Sequence, residues 1–182
     1  MRLFVALPPP KNWCETLQSE TFPLHHHFTA LDPRWRTRDY WHITLAFIGQ
    51  TDTQALPSII AALEEAASVS QQAQLDAKAI KPFPSNRPNV IALIIENHDT
   101  LTELAGRVQG NLSNQGIPQQ KRTYKPHMTL ARIHHKNNNG STVGPFRLKL
   151  ETTIAEKMVL YNSVHTKEGS RYDELASFKL AR

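Results

Sequence analysis

Short apolar or alternating runs, punctuated by proline, share this chain with longer stretches of helical spacing. Residues 2–7 (Arg-Leu-Phe-Val-Ala-Leu) predict a first strand that runs into Pro8-Pro9-Pro10. Trp13 and Leu17 with their polar neighbours predict a helix ending before Pro23, and residues 22–34, with His25-His26-His27 and Pro33, have no period and read as a loop. Trp35-Arg36-Thr37 reads as a short strand leading into a longer one, Trp41 to Ile48, which Gly49 ends. Thr51-Asp52-Thr53 can cap a helix whose apolar positions are Leu56, Ile59, Ile60, Leu63, Ala66 and Ala67. Residues 74–80 alternate as a strand, residues 81–88 with three prolines form a rigid loop, and Val90–Ile95 is a buried strand. Asp99 or Thr100 can cap a helix with Leu101, Leu104, Val108 and Leu112 on its apolar face. Strands around 146–150, 154–164 and 172–180 close the chain, the last two joined by a hairpin through Lys167-Glu168-Gly169-Ser170. The irregular alternation and the hairpins predict an α+β fold, mostly antiparallel sheet with helices on its outer faces.

Within this pattern one stretch occurs twice. His42-Ile43-Thr44-Leu45-Ala46 returns as His127-Met128-Thr129-Leu130-Ala131, one copy in each half of the chain. In a strand, His and Thr at i and i+2 share a face and the aliphatic residues take the other. If the halves pack about a pseudo-twofold axis, two imidazoles and two hydroxyls meet in one cleft. Histidine titrates near neutrality, so one ring can accept a proton while the other donates one, and the threonines can donate hydrogen bonds to the oxygens of a phosphodiester. Arg132 could grip a phosphate in bidentate fashion, but strict alternation puts it on the face away from His127; a bulge or the end of the strand would be needed to turn it inward. Tyr124, Trp41 and Phe4 are further candidates for lining the cleft, and Trp35, Trp41 and Phe83 for stacking on a base.

Composition narrows the picture modestly. A net charge of +5 and a pI near 9.5 favour an anionic partner, and Lys78, Lys81, Arg87, Lys121, Arg122 and Lys125 could line an RNA-binding surface. No apolar run reaches the roughly 18 residues of a membrane span. The N-terminus reads as a strand and not as a signal peptide, and the single cysteine, Cys14, excludes an internal disulfide, so a cytoplasmic protein is expected. Cys14 has no nearby activating group and reads as a neutral buried thiol. His25-His26-His27 and His134-His135 lack acidic or cysteine partners at ligand spacing and read as solvated loops, not as a metal site. No Gly-rich phosphate loop and no zinc spacing is present, and no cofactor is expected.

The paired His-x-Thr-Leu motifs resemble those of the two-histidine (2H) phosphoesterase superfamily, in particular its RNA 2′,3′-cyclic phosphodiesterase group, also called the 2′-5′ RNA ligase or ThpR/LigT group. The likeness extends to Arg2–Leu7, His42–Gly49, Phe83-Pro84, Lys125–Arg132, Leu160-Tyr161-Asn162-Ser163 and Arg171-Tyr172, so it covers nearly the whole chain. It implies one bilobal domain over residues 1–182, with intertwined lobes, one motif in each, and a central cleft. It implies metal-independent opening of a terminal 2′,3′-cyclic phosphate on RNA to a 2′-phosphate, with reversible 2′-5′ ligation as the same chemistry run backwards. By that resemblance His42 is the proton donor to the departing 3′ oxygen, His127 the base that activates water, Thr44 and Thr129 the oxygen-stabilising donors and Arg132 the phosphate contact. A small cyclic nucleotide or a 2′-5′-linked oligonucleotide is the alternative substrate, and a non-catalytic RNA-binding domain the alternative class. A monomer is expected, because one chain carries both motifs.

Overall fold

Residues 1–119, 123–133, 143–166 and 169–182 of the computed structural model are described here. Along them run β1 (Arg2–Leu7), α1 (Lys11–Ser19), α2 (Thr21–His27), β2 (Pro33–Trp35), β3 (Ile43–Gln50), α3 (Leu56–Ser68), β4 (Ala73–Leu75), β5 (Ala77–Phe83), β6 (Val90–Ile95), α4 (Asp99–Asn114), β7 (His127–Ile133), β8 (Thr153–Ala155), β9 (Lys157–Thr166) and β10 (Gly169–Lys179). The expectations for Lys121, Arg122, His134-His135, Lys136–Ser141 and Lys167-Glu168 fall outside the described residues.

Eight strands form one antiparallel sheet in the order β10-β9-β1-β3-β7-β6-β5, with β2 paired to β7 beside this path, and β4 and β8 form a separate ribbon. The fold class is therefore α+β as the pattern predicts. Helices α3 and α4 pack on each other, and the side-chain amide of Asn111 donates to the Ala62 carbonyl at 3.1 Å between them. Their apolar faces, Ile59, Leu63, Ala66 and Ala67 on α3 and Leu101, Leu104, Val108 and Leu112 on α4, are buried in one continuous core with the inner residues of β1, β3, β6 and β7. No helix among the described residues is long and apolar enough to cross a membrane.

Several elements differ from the sequence pattern, each for a local reason. The segment expected as a loop at 22–34 begins with α2, because Pro23 falls in the first helical turn, where a missing N–H breaks no intrahelical bond. The strand expected at 35–37 lies at 33–35. Gly49 does not end its strand: it adopts a positive φ of 85° and the chain stays paired to Gln50. The strand at 74–80 divides at Asp76, whose carboxylate accepts hydrogen bonds from Gln74 and Thr152 and pairs with His98. The second part, β5, then continues through Pro82 to Phe83, into the expected loop. The strand at 146–150 is reduced to one bridge between Phe146 and Ile80. The run at 154–164 divides at Glu156, so that β8 joins β4 and β9 enters the main sheet.

Candidate active site

The two motif strands meet at one residue pair. Ile43 of β3 lies opposite Met128 of β7 in antiparallel register, and both side chains are fully buried. Extending that register by one residue sets His42 across from Thr129 and Thr44 across from His127. Alternation places all four on the face opposite the buried pair. His42 and His127 are then diagonal neighbours, with Cβ atoms about 7 Å apart, a separation that leaves room for a phosphate between the rings.

Each imidazole is held in the same way. The Nδ1 of His42 donates to the Tyr40 carbonyl at 2.9 Å, and that of His127 donates to the Lys125 carbonyl at 2.7 Å, in both cases two residues back along the chain. A carbonyl can only accept, so both neutral rings carry their hydrogen on Nδ1 and keep Nε2 free. The carbonyl of Pro126 is fixed in turn by the Ile95 N–H at 3.1 Å. Each ring also leans on a phenylalanine: Phe4 lies 4.9 Å from His42 at 38°, and Phe83 lies 4.5 Å from His127 at 37°. Tyr172 adds an edge contact to His42 at 5.2 Å. Burial lowers both imidazole pKa values; that of His42 falls to about 4, with the charge of Arg36 and the neighbouring His127 adding to the depression, while the carbonyl bonds act in the opposite sense.

Beyond the threonines both strands depart from strict alternation at the same point. Val5 pairs with Ala46 but Ala6 with Thr44, which leaves Leu45 as an extra residue in β3. Ile91 pairs with Ala131 but Ala92 with Thr129, which leaves Leu130 extra in β7. Each bulged leucine keeps its carbonyl satisfied, Leu45 by the side-chain amide of Gln109 at 2.8 Å and Leu130 by the Arg36 N–H at 2.8 Å. The bulge moves the following residues by one step, so two consecutive core positions (Leu130, Ala131) precede an exposed Arg132, and likewise Leu45 and Ala46 precede an exposed Phe47. Arg132 thereby reaches the histidine face.

A cavity of about 760 Å³ opens there, with His42, Phe4, Tyr172 and Arg132 in its walls. His127, Thr44 and Thr129 lie beside it on the same strand face, outside its lining. Arg2, Arg34 and Arg36 join Arg132 in the lining, which holds no Asp or Glu. Arg34 stands directly opposite Arg132 across the β2–β7 ladder, and like charges so placed repel unless an anion lies between them. Trp41, expected in the lining, belongs to the support behind it. Its indole N–H donates to the Arg36 carbonyl at 3.1 Å and its ring packs against the core, because alternation turns it away from His42. Tyr124 also serves as a brace: its hydroxyl donates to the Thr44 carbonyl at 3.2 Å, and burial raises its pKa.

The sequence pattern marks none of Arg34, Arg36 and Tyr40 as a site residue, and Tyr172 enters only through the Arg171-Tyr172 pair in the family resemblance; all four line the cavity. His25, His26 and His27 end a helix and do not lie in a loop. His25 stacks on Trp35 at 4.1 Å, His26 faces Phe22, and His27 packs edge-on to Phe28 and bonds the Gly144 carbonyl at 2.9 Å. Lys78 is paired with Glu96, and Cys14 is buried with its thiol pKa raised, foremost by burial.

A family model described as the 2′-5′ RNA ligase superfamily matches residues 8–143. The RNA 2′,3′-cyclic phosphodiesterase of Bacillus subtilis is 29% identical over 142 residues, 78% of this chain and 77% of that protein. The one from Methanocaldococcus jannaschii is 25% identical over 177 residues, 95% and 97% of the two chains. Among solved structures, E. coli LigT in apo form superposes with a TM-score of 0.79 at 19% identity, covering 100% of this chain and 98% of that one. TT0787 of Thermus thermophilus gives 0.81 at 24%, covering 99% and 98%. Both establish the fold.

Proposed function

The chain belongs to the 2′-5′ RNA ligase superfamily, and from that premise we infer that it is an RNA 2′,3′-cyclic phosphodiesterase, opening terminal cyclic phosphates to 2′-phosphomonoesters. Curated relatives of this name match over most of the chain, and E. coli LigT has been captured with 3′-AMP. The observation that carries the residue roles is the Ile43–Met128 register, which brings both His-x-Thr motifs to one face. His127, kept neutral by burial and with Nε2 free, takes a proton from the attacking water. His42 gives a proton to the 3′ oxygen as the P–O3′ bond breaks. Without substrate, burial and Arg36 keep His42 unprotonated; the phosphate anion favours its charged form and supplies the condition for proton donation. The division into donor and acceptor rests on the family resemblance, since the two rings are held alike. Thr44 and Thr129 donate to the non-bridging oxygens, and Arg132 neutralises the charge that builds there. Ligation to a 2′-5′ bond is the reverse use of the same groups. Both motifs come from one chain, so a monomer carries a complete site.

The test is hydrolysis of an RNA oligonucleotide ending in 2′,3′-cyclic phosphate, with chelator present and the product identified by ³¹P NMR. A 2′-phosphate product is expected. A 3′-phosphate product, or activity that disappears with chelator, would contradict the assignment. Binding without turnover would leave an RNA-binding domain.

A further inference from the structure

We propose that the end of the cavity remote from Arg132 is a subsite for a second nucleotide, in which Phe47 carries a base and Arg2 with His165 holds the phosphodiester 5′ to the cyclic end. This rests on the phosphodiesterase reading above and narrows it, making the substrate an RNA chain of two or more nucleotides.

Phe47 is the counterpart of Arg132 in the repeat, two residues beyond the bulged leucine in each motif strand. The bulge that turns Arg132 toward the phosphate turns Phe47 into the same cavity, where its side chain stays 63% exposed. A large aromatic left in water within an arginine-lined cavity is a surface on which a base can stack. The two copies are thus alike at the histidines and threonines and differ where a substrate would be asymmetric, with a cation on one side and an aromatic ring on the other.

Arg2 lies on the aromatic side. Its Nη1 stands 3.3 Å from the Nε2 of His165, and the guanidinium can only donate, so His165 accepts. Ser170, directly opposite His165 in the β9–β10 ladder, and Ser163, two residues away on the same face, also line the cavity. The nearby carboxylate of Asp173 is engaged by Arg171 at 2.7 and 3.0 Å. One guanidinium, one imidazole and two hydroxyls, with no acid in the lining, suit a phosphodiester. Arg2 lies two residues along β1 from Phe4, which touches His42, so its backbone is displaced by roughly 7 Å from the catalytic ring's neighbour. That step places it beyond the reacting phosphate. β3 and β7 run in opposite directions from Ile43 and Met128, so Arg2 and Arg132 lie at opposite ends of the face.

The experiment compares uridine 2′,3′-cyclic phosphate with a 3′-5′-linked uridine dinucleotide ending in the same cyclic phosphate, for wild type, Phe47→Ala, Arg2→Ala and His165→Asn. The wild type is expected to favour the dinucleotide in kcat/KM by about tenfold or more, and Phe47→Ala to lose at least about fivefold on the dinucleotide, the low end of base stacking. Arg2→Ala and His165→Asn should likewise lower only the dinucleotide rate, with the mononucleotide rate held within about twofold for all three variants. Equal losses on both substrates, or a wild type without preference, would overturn the subsite while leaving the phosphodiesterase reading intact. A wild type that opens neither substrate would defeat both.

Discussion

An imidazole that gives its Nδ1 hydrogen to a carbonyl has one nitrogen left for chemistry, and His42 and His127 both reach that state through a carbonyl two residues back. Replacing either by alanine should lower turnover by at least about a hundredfold, the usual scale for a general acid or base. The low pKa values also bear on stability. An unfolded chain protonates these histidines near the ordinary value of 6.5, whereas folded His42 resists until about pH 4 and folded His127 is also depressed. Between those limits the unfolded state binds more protons, so stability is full above about pH 6.5 and falls as the pH drops toward 4. Urea denaturation across this window should show the decline, and a His42→Gln variant should show less of it. An identical decline in that variant would place the proton-linked loss elsewhere. Inorganic phosphate should raise the pKa of His42, read from its imidazole NMR shifts; an unmoved titration would remove His42 from phosphate contact.

At the scale of elements, the leucine bulges decide which side chains reach the cleft. The Leu45 carbonyl is displaced from the ladder and held by Gln109 of α4. Gln109→Ala should destabilise the fold by about 1–3 kcal/mol, the cost of a poorly satisfied polar group, measured as a shifted denaturation midpoint. An unchanged midpoint would mean that the bulge persists without this bond. The same bulges explain what could be read from the sequence. His42, Thr44, His127 and Thr129 obey period two and so were legible as one face. Arg132 broke the period, and only a bulge, which period two cannot predict, brings it to that face. Phe47 was equally hidden. Trp41 was misplaced because adjacent residues on a strand point to opposite sides. Asp76, where the strand divides, is bonded to Thr152 and His98, distant residues that no local pattern contains.

For the whole molecule, strand existence and fold class were legible because most elements have strong periodicity, whereas the strand order was not. The union of β3 with β7 through a single residue pair joins strands more than 80 positions apart in the chain. We propose that residues 1–182 form one unit of two intertwined lobes. The sheet runs through both motif strands, and α4 of the second half reaches back to Leu45 of the first. Fluorescence of the three tryptophans and far-ultraviolet circular dichroism should then report one coincident thermal transition, and separate transitions would divide the lobes. The central claim is that two like-held histidines share acid and base work across one phosphate. It is tested most directly by a cyclic-phosphate substrate with sulfur in place of the bridging 3′ oxygen, whose thiolate leaves without a proton. His42→Ala should recover most of its lost rate on this substrate and His127→Ala should not. Recovery by His127→Ala instead would reverse the two roles, and recovery by neither variant would contradict acid–base catalysis by this pair.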